Sequence, residues 1–479
     1  MGSDELGLVR HMHRNILNEI NMNKLPNADD DAAFQAADAA HHLHPFTDYK
    51  GLAAEGSRVI VRAEGSTIWD SKGTAILDGM AGLWCVNVGY GRPELADVAA
   101  RQMRELPYYN TFFKTTTEPA TALAARLAEL TPDGLEHVFF ANSGSEANDT
   151  IVRMVRRYWQ LHGQPDRNVI ISREYAYHGS TMVAASLGGM TAMHKQTGMP
   201  LPGFEHIRPP YYLRDGGNMT PDEFGIAAAQ ALEERIQTVG PERVAAFIAE
   251  PIQGAGGVIV PPDSYFPEIQ RICRRHGILL IVDEVICGFG RTGNWFGAET
   301  FGIQADFMTL AKGLSSGYMP ISAVMVGDRV ARTLIDEGGE FYHGFTYSGH
   351  PVACAVALEN LRIIEDERLV ERVRDDIGPY FQTRLRELMD HPLVGEVRGI
   401  GLIAGIELVR DKDGPVFFQP EGHAGTICRD HCVRSNVILR AVRDGMVTAP
   451  PLVITHAEVD HLVETVRRCI DRTQADLGL

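Results

Sequence analysis

The run Ile278-Leu279-Leu280-Ile281-Val282 contains no polar residue and ends abruptly in Asp283-Glu284. A strand with one face in water alternates apolar and polar positions. An unbroken apolar run instead requires cover on both faces, as in a parallel sheet sandwiched between helices. Strand-like runs recur at His137 to Ala141, Asn168 to Ser172, Val244 to Glu250, Phe307 to Leu310 and Ile321 to Val326, with helical patterns such as Leu95 to Leu106 and Ala120 to Leu130 alternating with strands from Pro93 onward. The alternation predicts an α/β fold with a mostly parallel central sheet wrapped by helices. Ligands in such folds bind outside the carboxyl ends of the strands, so chemistry is expected in the residues that follow each run.

Five of those ends carry distinctive side chains. After His137 to Ala141 comes Asn142-Ser143-Gly144-Ser145-Glu146, leading into a helix with apolar positions at Ile151, Met154, Val155, Tyr158 and Trp159. Ser143 and Glu146 have capping-box spacing, and a strand, a Ser/Gly turn and a helix start together make an anion seat in which Gly144 and Ser145 are the expected donors. Tyr177, in Tyr175-Ala176-Tyr177-His178-Gly179, can stack on a flat ligand. Glu250 and Gln253 suit hydrogen bonds to ring substituents and a catalytic water. Asp283 suits a pyridine nitrogen, because pyridoxal phosphate needs a carboxylate there to keep the ring protonated and electron-withdrawing. Lys312 stands where Phe307-Met308-Thr309-Leu310-Ala311 breaks into a Gly/Ser-rich turn, poorly placed for water. A buried ammonium is costly unless paired or neutral, and proteins use such lysines as nucleophilic amines toward carbonyls. Taken singly, each residue has a plainer alternative: a helix cap, a strand-end carboxylate, a surface lysine. Five together are improbable as coincidence.

The strongest rival lies in Gly288-Phe289-Gly290-Arg291-Thr292-Gly293, which matches the dinucleotide-binding fingerprint after a strand. The fingerprint needs a helix opening at the glycines, and Asn294-Trp295-Phe296-Gly297 shows no helical period; the segment reads as a Gly-rich loop beside the site. Asp78 to Gly91, rich in glycine and aromatics, reads as a pocket-lining loop with Trp84 as wall. Val59-Ile60-Val61 and Thr67-Ile68-Trp69-Asp70 read as short antiparallel strands, and Met190 to Gly217 as a loop excursion. A metal reading of His41, His42 and His44 is set aside, because Pro45 breaks any aligning helix and no carboxylate is expected at ligand spacing. No metal site is expected.

The formal net charge of −17 over 479 residues argues against nucleic acid and anionic membranes as partners. No apolar run approaches membrane-spanning length and the start, Met1-Gly2-Ser3-Asp4-Glu5, is too polar for a secretory signal. Seven cysteines without a C-x-x-C pair favour a reduced, cytoplasmic location.

In combination, the phosphate turn Ser143 to Asn148, Tyr177-His178-Gly179, Glu250-Pro251-Ile252-Gln253-Gly254, Asp283-Glu284-Val285, Ala311-Lys312-Gly313 and Thr346-Tyr347-Ser348-Gly349-His350-Pro351 resemble the class III pyridoxal-phosphate-dependent aminotransferases of fold type I. The resemblance runs from about Leu52 to Ile470. Through Ala81 to Gly91 it is nearest to ω-transaminases of the amine–pyruvate and putrescine types. It implies a large cofactor-binding domain over residues 86–345 and a smaller α+β domain from residues 346–479, with residues 1–85 contributing to the latter. It further implies a homodimer with shared active sites, in which Thr346 reaches the neighbouring subunit's cofactor phosphate and Phe112 also crosses over. The cofactor contacts it implies include His178 and Ile286 beside the residues already named, and the substrate contacts Trp84, Phe112, Tyr177, Ala255 and Arg440.

The activity implied is ping-pong transfer of an amino group from a mono- or diamine to a keto acid, with pyruvate the expected acceptor, Lys312 holding the cofactor and moving the proton. Arg440, in Leu439-Arg440-Ala441-Val442-Arg443, takes the place of the mobile arginine that binds the acceptor's carboxylate, whereas Arg443, next to Asp444, reads as a surface residue. One departure is informative. Where ornithine- and 4-aminobutyrate-type members resemble Glu-Pro-Ile-Gln-x-Glu, this chain has Ala255, so Arg440 lacks that anionic partner and uncharged or cationic amines are favoured. A 4-aminobutyrate- or β-alanine-type transaminase, a decarboxylating or amino-shifting relative, a dinucleotide oxidoreductase and a silent cofactor-binding protein are the alternatives left open.

Overall fold

The computed structural model describes residues 28–412 and 414–479; the polar start Met1 to Glu5 lies outside them. Among the described residues, the helices Ala28–His41 and Tyr49–Glu55 precede three short antiparallel strands, β1 (Ile60–Glu64), β2 (Thr67–Asp70) and β3 (Ala75–Asp78). The central sheet follows: β4 (His137–Ala141), β5 (Val169–Arg173), β6 (Phe204–Ile207), β7 (Val244–Ala249), β8 (Leu279–Asp283), β9 (Phe307–Leu310) and β10 (Ser322–Val326), in the order β4-β10-β9-β8-β7-β5-β6. Every pairing is parallel except those of β10, which runs against both β4 and β9. The mostly parallel sheet expected from the apolar runs is therefore present.

All residues of β5, β7, β8, β9 and β10 are buried. At about 1.5–3 kcal/mol for each large apolar side chain taken from water, these strands provide a major part of the fold's driving force. The helix Gly144–Leu161 buries Ala147, Ile151, Met154, Val155 and Tyr158 along one face, against the sheet. Tyr265–His276 covers the other side and stops at Gly277, whose φ of +62° is the left-handed turn that lets the chain reverse at once into β8.

One expectation fails here. The stretch Met190 to Gly217 is not a simple loop: it holds β6, which pairs with β5 at the sheet edge, and a short helix, Thr191–Thr197. Four residues flanked by Pro and Gly are too few to show a period.

The remaining strands are β11 (Val394–Ile400), β12 (Ile403–Leu408), β13 (Val437–Ile438), β14 (Arg440–Val442) and β15 (Gly445–Thr448). β11, β12, β15 and β14 form one small sheet, whereas β13 crosses back to pair in parallel with β3, Val437 opposite Leu77 and Ile438 opposite Asp78. The first and last parts of the chain thus share a sheet. The consequence for the site is direct, since Trp84 follows β3 and Arg440 follows β13, so two neighbouring strands deliver both.

Candidate active site

A cavity of about 310 Å³ opens at the carboxyl ends of the central strands, and Ser143, Gly144, Ser145, Tyr177, His178, Glu250, Asp283, Ile286 and Lys312 all line it. On the rim formed by the helix Gly144–Leu161, Ser143 Oγ accepts from the Glu146 N–H at 3.2 Å. The Glu146 carboxylate does not complete the box at Ser143; it accepts from the Asn142 N–H, 2.7 Å away, and from the Asn142 side chain. The Gly144 and Ser145 N–H groups, in the first turn of a helix, have no intrahelical acceptor and stand at the positive end of its dipole. Opposite, Gly179 packs so closely that a Cβ there would lie 2.5 Å from Ser145 Oγ, at a φ of +138°. Only glycine fits. Its neighbour Ser180 donates its N–H to Ser145 Oγ.

The floor is a buried polar network. Asp283, 3% exposed, accepts from His178 Nδ1 at 2.8 Å and Asn148 Nδ2 at 3.0 Å, and its other oxygen accepts from the Val285 N–H. Asn148 also accepts from Thr309 Oγ1, which ties it to β9. Sequence reasoning missed Asn148, though it carries a signal: it is polar on the helix face shared with Ile151 and Val155. Glu250 accepts from the Gly254 and Tyr177 N–H groups, and burial raises its carboxyl above the ordinary range. His178 Nε2 is buried with no hydrogen-bond partner among the described residues.

Lys312 borders the cavity on one side and is enclosed by protein on the others. Desolvation pushes its ammonium below the ordinary lysine range, against the opposing pull of Asp283. Its φ of +44° is strained for a non-glycine residue, as is common where a side chain is aimed at a ligand.

Trp84, Ala255 and Arg440, expected at the substrate, lie behind the cavity wall and not in it. The Trp84 loop also carries positive φ at Ala81 (+47°) and at Trp84 itself (+55°), and Asp78 holds it by accepting from the Met80 and Gly82 N–H groups and the Tyr90 hydroxyl. The indole is 2% exposed and packs with Ala255, Ile252 and Ile286. Lys312 Nζ lies 5.9 Å and Arg440 Cζ 5.3 Å from its ring centroid. Burial lowers the pKa of Arg440, with only Tyr177 acting against it.

Several residues are placed otherwise than expected. Gln253 turns its amide N–H to Glu174 O and is not part of the cavity wall. Thr346 and Phe112, expected at a neighbouring subunit's cofactor and not at this one, are a different case: Thr346 is exposed with its carbonyl accepting from Tyr108, and Phe112 packs beside Gly344. Arg443 is not a surface residue: its guanidinium lies 4.4 Å from the Tyr175 ring centroid and donates to Gly256 O, while Asp444 turns inward to the Gly422 and Gly425 N–H groups. Glu284 faces away from the cavity and accepts from the Gly297 and Ala298 N–H groups; burial pushes its carboxyl up to about 8.

The Gly288 to Gly293 segment opens no helix; a short one starts only at Gly297. Its Arg291 is buried, donating to Leu402 O, Pro450 O and Asn87 Oδ1, which makes the loop a structural joint. The expectation that no carboxylate accompanies the histidines also fails, because Asp38 lies 3.0 Å from His42 Nδ1 and 2.8 Å from His44 Nε2.

The cavity fits pyridoxal phosphate by its donor set. An N–H cluster at a helix start answers the phosphate, the Asp283 carboxylate answers a ring nitrogen, an orphaned imidazole nitrogen waits for a polar partner, and a desolvated amine stands within the same wall.

The Aminotransferase class-III family model matches residues 52–470. A putrescine–pyruvate aminotransferase of Pseudomonas aeruginosa is 57% identical over 442 residues, covering 92% of this chain and 96% of the relative. A mitochondrial gamma-aminobutyrate transaminase of Solanum lycopersicum is 42% identical over 437 residues, covering 90% and 85%. Among solved structures, a thermostable (S)-enantioselective ω-transaminase from Thermomicrobium roseum superposes with a TM-score of 0.90 at 48% identity, covering 94% of this chain and 100% of that one. The Pseudomonas jessenii ω-transaminase in complex with PMP gives 0.91 at 43% identity, covering 93% and 99%.

Proposed function

The chain belongs to the class III aminotransferases, which use pyridoxal phosphate, and from that premise we propose that it moves the amino group of an aliphatic amine, best a diamine, to pyruvate. The observation that carries this reading is Arg440. Its guanidinium is largely buried behind the cavity wall, lies 5.3 Å from the Trp84 ring centroid and has no carboxylate partner among the described residues, while position 255, packed with the same indole, is alanine. A planar guanidinium left free in this way suits the carboxylate of a keto acid, which it can hold through two parallel hydrogen bonds. Because little holds it in place, it can also move aside for an amine without a carboxylate.

The remaining roles follow from position. When bound, pyridoxal phosphate supplies an electron-withdrawing ring that stabilises negative charge at the substrate carbon. The Gly144 and Ser145 N–H groups would bind its phosphate and Asp283 would keep its ring nitrogen protonated, with His178 and Asn148 orienting the carboxylate. Lys312 would hold the cofactor and, as a desolvated amine, carry the proton to and from the substrate carbon. Trp84, with Tyr177, excludes water from that carbon.

Arg440→Ala is expected to weaken the keto-acid half-reaction by ~2–4 kcal/mol, the range for losing one partner of a buried charged pair, and to spare the amine half-reaction. Rapid-mixing measurement of each half-reaction decides. Equal losses in both, or none in either, would show that Arg440 does not hold the carboxylate. A 4-aminobutyrate-type activity is the second reading, supported by the likeness to the tomato enzyme; efficient turnover of 4-aminobutyrate over butylamine would favour it.

We further propose a homodimer with shared sites. Tyr109, Phe113, Tyr342 and Tyr347 are exposed, at 50%, 90%, 79% and 58%, and Tyr347 lies on the same surface as Thr346. So much exposed aromatic surface supports an interface there. Sedimentation of the holoenzyme should give twice the chain mass of 52.7 kDa; a monomer with full activity would overturn the shared-site reading.

A further inference from the structure

Asp38, His42 and His44 take no part in the chemistry above, yet their side chains converge. The helix Ala28–His41 holds Asp38 in its last turn, and the His42 N–H continues the helical pattern by donating to Asp38 O at 2.9 Å. A spacing of four therefore brings the His42 ring to the carboxylate, with Nδ1 3.0 Å from Asp38 Oδ1. The chain then leaves the helix ahead of Pro45 and returns the His44 ring to the same group, its Nε2 lying 2.8 Å from each Asp38 oxygen. One ligand atom from each of the three residues falls within 4.8 Å of the others.

A plain ion pair accounts for one imidazole on a carboxylate but not for two. The two rings lie 4.2 Å apart, centroid to centroid, and a pair of imidazolium charges at that separation would repel. A divalent cation satisfies all three side chains at once. Zinc–ligand bonds in a tetrahedral arrangement set neighbouring ligand atoms roughly 3.3 Å apart, so the carboxylate–imidazole contacts need to open by only roughly 0.3–0.5 Å. Two imidazoles and a carboxylate favour zinc, nickel or copper over magnesium and calcium, which take oxygen donors. The carboxylate also has support behind it: Ser57 hydrogen-bonds Asp38, and Gln35 Nε2 donates to Ser57 O at 2.9 Å. The His42 side chain is 61% exposed, which gives the ion an entry path and leaves room for water as a fourth ligand.

The position of the cluster gives it a consequence. Phe46, two residues beyond His44, sets its ring edge-on to Tyr177 with the centroids 6.4 Å apart, and Tyr177 lines the cavity. Phe46 is otherwise 73% exposed, so what holds the backbone at His44 also decides where this ring stands.

We propose that Asp38, His42 and His44 bind one divalent cation of the zinc class, and that the bound ion fixes Phe46 beside Tyr177.

Equilibrium dialysis of the holoenzyme against zinc chloride, with the metal counted by atomic emission, compares wild type with His42→Ala and His44→Ala. Wild type should hold one zinc per chain more than either variant, and His42→Ala should weaken that binding roughly a hundredfold, since loss of even an outer partner of a ligand costs 10–100-fold. An excess of magnesium should not displace the ion. Hydrogen exchange on the peptide covering residues 42–47 should slow on adding zinc to wild type and stay unchanged in His42→Ala. If His44→Ala fails to fold, His42→Ala, altered at an exposed side chain, decides alone. The same zinc count in wild type and variant overturns the site, and displacement by magnesium overturns the ligand class. A difference in zinc count without slowed exchange overturns the hold on Phe46.

Discussion

Lys312→Ala should reduce transamination below detection while the protein remains folded and at least as stable as wild type. On the roles proposed above for Lys312, two functions go at once. The first is the covalent hold on the cofactor, which needs an amine that is neutral part of the time; burial supplies this by pushing the ammonium below its ordinary range. The second is proton transfer at the substrate carbon, for which general catalysis alone contributes about 10²–10⁴-fold. No other described lysine lines the cavity to substitute. Stability should not fall, because truncation removes a buried charge whose desolvation was unfavourable. Alanine gains nothing in return from the backbone, since a φ of +44° strains it as it does lysine. Borohydride reduction followed by mass spectrometry provides the check: wild type should acquire a pyridoxyl mass on the peptide that carries residue 312, and the variant none. A variant that still fixes the group covalently elsewhere, or that turns over at a measurable fraction of wild type, would remove Lys312 from the centre of the reaction.

The apolar runs made the central sheet legible because strands buried on both faces have no polar residue to break the pattern, as in β7 and β8. What those runs cannot show is order. That β10 pairs with β4 as well as with its sequence neighbour β9, or that β13 returns to pair with β3, depends on contacts between residues far apart in the chain. The cavity residues were readable for a related reason: each follows a strand directly, so local sequence fixes which edge it occupies.

Residues that reach the site by tertiary routes were harder. Asn148 sits one turn into a helix and looked like part of the turn motif. Arg443 looked exposed beside Asp444, but the two diverge because Arg443 takes a positive φ of 55° and stacks on Tyr175 from the far side of the chain. Arg440 and Thr346 were assigned through family likeness, not from their surroundings in the sequence. The pairing of β13 with β3 accounts for the former's position beside Trp84.

Asp283→Asn should keep the cofactor bound yet lower the rate by a factor of at least 10², which is ~3 kcal/mol or more of lost transition-state stabilisation. The carboxylate is the negative charge that would keep the ring nitrogen protonated, and an amide of the same shape carries none. Its surroundings make the substitution informative about stability as well. Three donors converge on Asp283: His178 Nδ1, Asn148 Nδ2 and the Val285 N–H. The asparagine oxygen can serve one side of this cluster, but its NH₂ then faces a donor on the other. One buried donor left unsatisfied costs ~1–3 kcal/mol, so a small fall in melting temperature should accompany the kinetic loss. The two effects separate cleanly if rates are expressed per bound cofactor, counted by visible absorbance. A large loss on that basis assigns the pyridinium partner to Asp283. If instead the rate per bound cofactor stays near wild type while only the melting temperature drops, Asp283 is a structural acceptor for His178 and Asn148, and the electronic role must lie with another group.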